Sequence, residues 1–95
     1  KDIFRKISGI FVENCSKDSL EIPFSADMLS SVERLNFIKC NMLKLPDWVS
    51  KAANLQCLSL HSCEKLESLK GIEDLPIDSL SFENCKDLKR LPKKL

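Results

Sequence analysis

The sequence predicts an α/β solenoid: four parallel strands, stacked as repeats and joined by irregular or short helical returns. Three observations lead there. An apolar spacing recurs. Eight, five and three residues before Cys63 stand Leu55, Leu58 and Leu60; before Cys40 stand Val32, Leu35 and Phe37; before Cys85 stand Ile77, Leu80 and Phe82; before Cys15 stand Ile7, Ile10 and Val12. The closing cysteines fall 25, 23 and 22 residues apart, a period at which stacked architectures are built. Within each run the last two apolar residues are two apart, so one face of a strand is buried and the alternate residues point away from it. The strands are expected to be parallel because each return brings the chain back to the same edge before the next strand begins.

The element order follows from these runs. Residues 1–6 are a lead-in, and the units run roughly over 7–31, 32–54, 55–76 and 77–95. In the first return, Leu20, Ile22, Phe24, Met28 and Leu29 supply the apolar side, Pro23 suits a turning segment because it removes a donor, and Ser25 to Leu29 make a single helical turn. In the second, Leu43, Leu45, Pro46, Val49 and Ala52 form an apolar strip leading into a short helix from Trp48, with Asp47 as its cap. Leu66, Leu69, Ile72 and Leu75 continue the third, where Gly71 marks a sharp turn. Cys85, Leu88, Leu91, Pro92 and Leu95 make the fourth. Trp48 is expected to pack against the second and third units, since its large ring wants apolar cover and its N–H a partner.

Composition excludes several functions. With 15 basic and 14 acidic residues the net charge is +1, so no overall field argues for nucleic acid or an anionic membrane as partner. No run approaches the ~18 apolar residues of a membrane span, and no signal-peptide pattern opens the chain. A repeat stack normally ends in polar caps, which are absent here, so the sequence reads as an excerpt of a longer protein.

The five cysteines are expected to be free. Equivalent positions on neighbouring strands lie ~4.8 Å apart, wider than the ~3.8 Å Cβ separation of a disulfide, so Cys15, Cys40, Cys63 and Cys85 form a buried ladder of thiols. Unpaired thiols favour an intracellular, cytoplasmic setting. Only Cys57 stands outside the ladder, half-buried, with no basic neighbour in its own strand. The lone His61 lies on the opposite strand face from Cys63 and no CxxC pair occurs, so no metal or cofactor is expected. No paired carboxylates, nucleophile triad or glycine-rich phosphate loop is present, and no enzyme is expected.

The pieces LQCLSLHSC-EKLESL and SLSFENC-KDLKRLPKKL resemble leucine-rich repeats, L-x-x-L-x-L-x-x-C with further leucines behind. Cysteine at the turn, C-x-x-L-x-x-L, and Leu45-Pro46-Asp47-Trp48-Val49 with Leu91-Pro92-Lys93-Lys94-Leu95 are similar to the repeat region of plant intracellular nucleotide-binding disease-resistance receptors, especially the class with a Toll-like amino-terminal domain. The resemblance implies a horseshoe whose concave side recognises a protein, either a pathogen effector or other domains of the receptor. Departures from it are Asp18 where the other units have Leu43, Leu66 and Leu88, and Leu45 one residue early. Leucine-rich repeats of F-box ubiquitin-ligase receptors also carry cysteine at this turn, which leaves substrate recognition for ubiquitin transfer as the alternative.

Candidate partner-binding residues are those facing away from the core. They are Phe11, Asn36, Ser59 and Ser81 four places before each cysteine, and Glu13, Ile38, His61 and Glu83 two places before. Arg34 and Lys39 flank them. Most of this wall is small and polar. Phe11 and Ile38 are apolar exceptions on adjacent strands, as at the centre of a contact surface. The basic stretch Lys86, Lys89, Arg90, Lys93 and Lys94 reads as a solvated face.

Overall fold

The computed structural model describes residues 8–15 and 26–89. The expectations for Ile7, for the return through Leu20, Ile22, Pro23 and Phe24, and for the chain from Arg90 to Leu95 lie outside the described residues. Four five-residue strands form one sheet: β1 (Gly9–Glu13), β2 (Arg34–Ile38), β3 (Cys57–His61) and β4 (Ser79–Glu83). Their order is β1-β2-β3-β4 and every pairing is parallel. The register aligns Ile10, Leu35, Leu58 and Leu80 in one row and Val12, Phe37, Leu60 and Phe82 in another, as the recurring spacing requires.

One face of the sheet and the returns enclose the core. Val32, Leu35, Phe37, Leu55, Leu58, Leu60, Leu66, Leu69 and Ile72 are buried, and none of the described side chains in the core is polar or charged. At the outer strands the same columns are less covered. Ile10 and Val12 on β1 and Leu80 on β4 are half-buried, and Phe82 is 43% exposed. The physical reason is that, among the described residues, β1 and β4 each have a neighbouring strand on one side, whereas β2 and β3 have one on both.

The returns are irregular. Helix α1 is a single turn, Ala26–Leu29, and a 3-10 helix covers Asp47–Lys51. Asp47 does not cap that helix with its side chain. Pro46 holds the N-cap position, with φ −60° and ψ 150°, and Asp47 is the first helical residue. The Pro46 carbonyl accepts from Val49 N at 3.1 Å, and Ser50 Oγ donates to the Asp47 carbonyl at 3.0 Å. Trp48 lays its ring 6.0 Å from that of Phe37, tilted by 39°, and so covers the core from the return side.

The second return departs from the expected alignment. Leu43 is 52% exposed, and Met42, 2% exposed, takes the inward place that the buried Leu66 and the half-buried Leu88 occupy behind β3 and β4. The cause is a shorter turn. Two residues separate Cys63 from Leu66 and Cys85 from Leu88, but only Asn41 stands between Cys40 and Met42. The hydrogen bonds between returns keep the shifted register: Glu67 N donates to the Leu43 carbonyl at 2.9 Å and Lys89 N to the Glu67 carbonyl at 3.2 Å. Leu43, Glu67 and Lys89 each follow the apolar residue of their own return. A bridge pairs Lys44 with Ser68, extending the same alignment.

Gly71 does mark a turn, with φ +114°, where a side chain is strained although nothing lies within 4 Å of a Cβ built there. Its amide donates to Glu73 Oε1 at 2.8 Å. The amides of Glu73 itself and of Gly71 hold the Glu73 carboxyl below the usual value.

A second backbone feature recurs at the end of every strand. Asn14, Lys39, Ser62 and Asn84, each immediately before a ladder cysteine, have φ between 55° and 57°. This left-handed residue turns the chain out of the sheet and into the return. The amides of Asn14, Lys39 and Ser62 donate to the carbonyls of Ile38, His61 and Glu83 on the next strand, at 2.8–2.9 Å. Asparagine tolerates this conformation and serine pays for it, so Ser62→Asn is expected to stabilise the chain by about 0.5 kcal/mol in urea unfolding.

The turn sets each following thiol in a fixed place. Cys40 Sγ donates to Val12 O and Ile38 O at 3.5 and 3.6 Å; Cys63 Sγ to Phe37 O and His61 O at 3.6 and 3.7 Å; Cys85 Sγ to Leu60 O and Glu83 O at 3.7 and 3.4 Å. All five cysteines are free thiols. Only the inner two, Cys40 and Cys63, are fully buried. Cys15 and Cys85 are half-buried, which corrects the expectation of a wholly buried ladder and again reflects their place on the outer strands.

Burial is the main influence that pushes the Cys40 and Cys63 thiols above their ordinary value. Above roughly pH 8.5 the unfolded chain releases these protons while the folded chain keeps them. The folded state then binds more protons than the unfolded state, so stability is full below that pH and falls as pH rises toward the raised folded values. The urea midpoint should therefore decrease between pH 8 and 9.5. A Cys40→Ala/Cys63→Ala variant should start lower and show a shallower decrease.

Candidate functional site

The strand face turned away from the core carries nine of the ten residues singled out from the sequence, and Lys39 follows directly on the end of β2. Phe11, Asn36, Ser59 and Ser81 align in one row across β1 to β4, and Glu13, Ile38, His61 and Glu83 in the next. Arg34 opens β2 at the upper edge, opposite Gly9 and Cys57, and Lys39 leaves β2 at the lower edge.

Phe11 is 70% exposed, the most exposed large apolar side chain among the described residues. Ile38 is its diagonal neighbour and is half-buried. One strand spacing and two residue rises put their Cα atoms about 8 Å apart. The two therefore form one apolar spot bordered by Glu13 and Asn36. To its right the face is polar and self-bonded. Ser81 Oγ donates to Ser59 Oγ at 3.1 Å, and His61 Nδ1 meets Glu83 Oε1 at 3.0 Å. An ionised carboxylate only accepts, so Nδ1 carries the hydrogen. With side chains 39% and 73% exposed, this pair contributes little stability; it orients the imidazole.

At the opposite corner Arg34 reaches back over β1. Its Nη2 donates to Ser8 Oγ at 3.1 Å, and its Nη1 lies 4.0 Å from Glu33 Oε1. The contact does not depend on Gly9, since a Cβ built there would stand 3.7 Å from Arg34 Nη2, an ordinary van der Waals distance. Strand pairing also sets Arg34 beside the half-buried Cys57, a cross-strand neighbour invisible when β3 is read alone. The guanidinium is engaged by Ser8. The sequence reading also missed the left-handed residues at the strand ends; Asn14 and Asn84 were the available signal, and Lys39 and Ser62 concealed the pattern.

Two plant proteins are similar to this chain in sequence. The chain is 31% identical over 72 residues to the probable disease resistance protein RPP1 of Arabidopsis thaliana, a match covering 76% of this chain and 6% of that protein. It is 41% identical over 44 residues to disease resistance protein RPS4B of the same plant, covering 46% of this chain and 4% of the relative. The chain is related to a region of plant disease resistance proteins. It spans only a small fraction of the length of either relative. No family model matches it, and no solved structure does. Among the described residues, no helix is long and apolar enough to cross a membrane.

Proposed function

We propose that this chain is a leucine-rich repeat stretch that acts as a non-enzymatic protein-recognition segment of an intracellular plant immune receptor. Its outward sheet face is the concave wall of a larger horseshoe, and its partner is a pathogen effector or another domain of the receptor that it restrains. The observation that carries this reading is Phe11, 70% exposed on a face lined mostly by polar side chains, with the apolar Ile38 diagonal to it. An apolar spot with a polar border is how contact surfaces are centred. The relation to disease resistance proteins supports the setting.

Size limits what the segment does alone. Four strands at ~4.8 Å, each offering five residues at ~3.3 Å, project about 320 Å². A stable interface takes about 800 Å² from each partner. Recognition on this face therefore recruits flanking repeats or another domain. Replacing Phe11 and Ile38 by serine in the full-length receptor should reduce partner binding at least tenfold in a pull-down titration while circular dichroism is unchanged. Unchanged affinity in that variant would move the contact off this face.

A further inference from the structure

An open cleft of about 360 Å³ lies between the turns that follow β2 and β3. Lys39, Cys40 and Asn41 line one side, and Ser62, Glu64 and Lys65 the other. The turn after β3 has Glu64 and Lys65 between Cys63 and Leu66, whereas the turn after β2 has Asn41 alone and so no counterpart of Lys65.

The lining suits an anion. Lys39 and Lys65 are exposed, and neither has an ion-pair partner among the described residues. Leu66 N bonds the Cys63 carbonyl at 3.2 Å, which closes the turn and leaves the amides of Glu64 and Lys65 without a protein acceptor among the described residues. Asn41 and Ser62 add neutral donors, and the buried Cys40 closes off the interior. Two lysines against Glu64 give the lining a formal charge of +1, which favours an anion, and the anionic side chains that a protein presents are carboxylates. The cleft also adjoins the outward face, because Lys39 follows Ile38 and Ser62 follows His61.

We propose that this cleft is a subsite for one carboxylate, the aspartate or glutamate side chain of a protein bound across the strand face. The assignment rests on the protein-recognition reading above and adds the chemistry of one contact. It is tested by NMR titration of the isotope-labelled chain with N-acetylglutamate α-amide, with N-acetylglutamine α-amide as neutral twin and inorganic phosphate as the competing anion. The expected result is saturable shifts confined to the amides of residues 39–41 and 62–65, produced by the glutamate probe and not by its twin. Lys39→Ala/Lys65→Ala should weaken the response about tenfold, the loss of two exposed charge contacts. Equal shifts from the neutral twin, no saturable shifts, or an unchanged response in the double variant would overturn the subsite. Tighter binding of phosphate than of the glutamate probe would overturn the carboxylate assignment. A Phe11→Ser/Ile38→Ser chain should keep the probe response, so failure of the subsite and failure of the sheet-face reading are distinguished.

Discussion

Phe37→Ala is expected to destabilise the chain by about 3–5 kcal/mol, the usual range for emptying a buried aromatic site. A chain of this length has about 5–14 kcal/mol in total, so the variant should lie near its unfolding midpoint in mild urea. Phe37 has no exposed surface, sits in the strand register between Val12 and Leu60, and supports the ring of Trp48 from below. Its backbone carbonyl also accepts from the thiol of Cys63. The cavity therefore opens where strand, return and thiol ladder meet. Trp48 is the only tryptophan, so its fluorescence reports the loss directly. Phe11→Ala provides the contrast. At 70% exposure it gives up little buried area, and its stability should stay within about 0.5 kcal/mol of the parent. A larger loss at Phe11 than at Phe37 would mean that the strands have their faces reversed.

That contrast is legible in the sequence because strands alternate. The intervals of eight, five and three residues before each cysteine fix which side chains share a face, and the register of all four strands follows from aligning those intervals. Burial along a column was less legible. Phe82 and Phe37 occupy equivalent positions in the repeat, yet one is 43% exposed and the other fully buried, because coverage depends on strands at either side and not on the residue. The outward rows were also predictable in membership. Of their bonding only the pairing of His61 with Glu83, its neighbour on the next strand, was legible; Arg34 to Ser8 and Ser81 to Ser59 were not, because sequence spacing gives no rotamer. Asp47 shows a further limit. An acidic residue near a helix start has the chemistry of a cap, but Pro46 fixes an extended conformation there and moves the helix boundary by one residue.

The sharpest local test concerns Met42 and Leu43. Met42→Asp should prevent folding, or cost several kcal/mol at the least, because it places a carboxylate among Leu66, Cys40 and the other buried side chains without a partner. Leu43→Asp should leave the urea midpoint almost unchanged, since that side chain is 52% exposed and only its backbone carbonyl, which accepts from Glu67 N, is used. Leucine counting favours the reverse result, because Leu43 stands three residues after its cysteine as Leu66 and Leu88 do. What decides between them is the length of the turn. With one residue fewer after Cys40, the chain enters the core one position earlier, and the next apolar side chain available there is methionine, whose unbranched thioether adapts to a site shaped for leucine. The buried Leu45, three residues beyond Met42 as Leu69 is beyond Leu66, follows from the same shift. If Leu43→Asp instead proved the damaging change, the return would have to run in the unshifted register, and the Lys44 to Ser68 bridge would be lost with it.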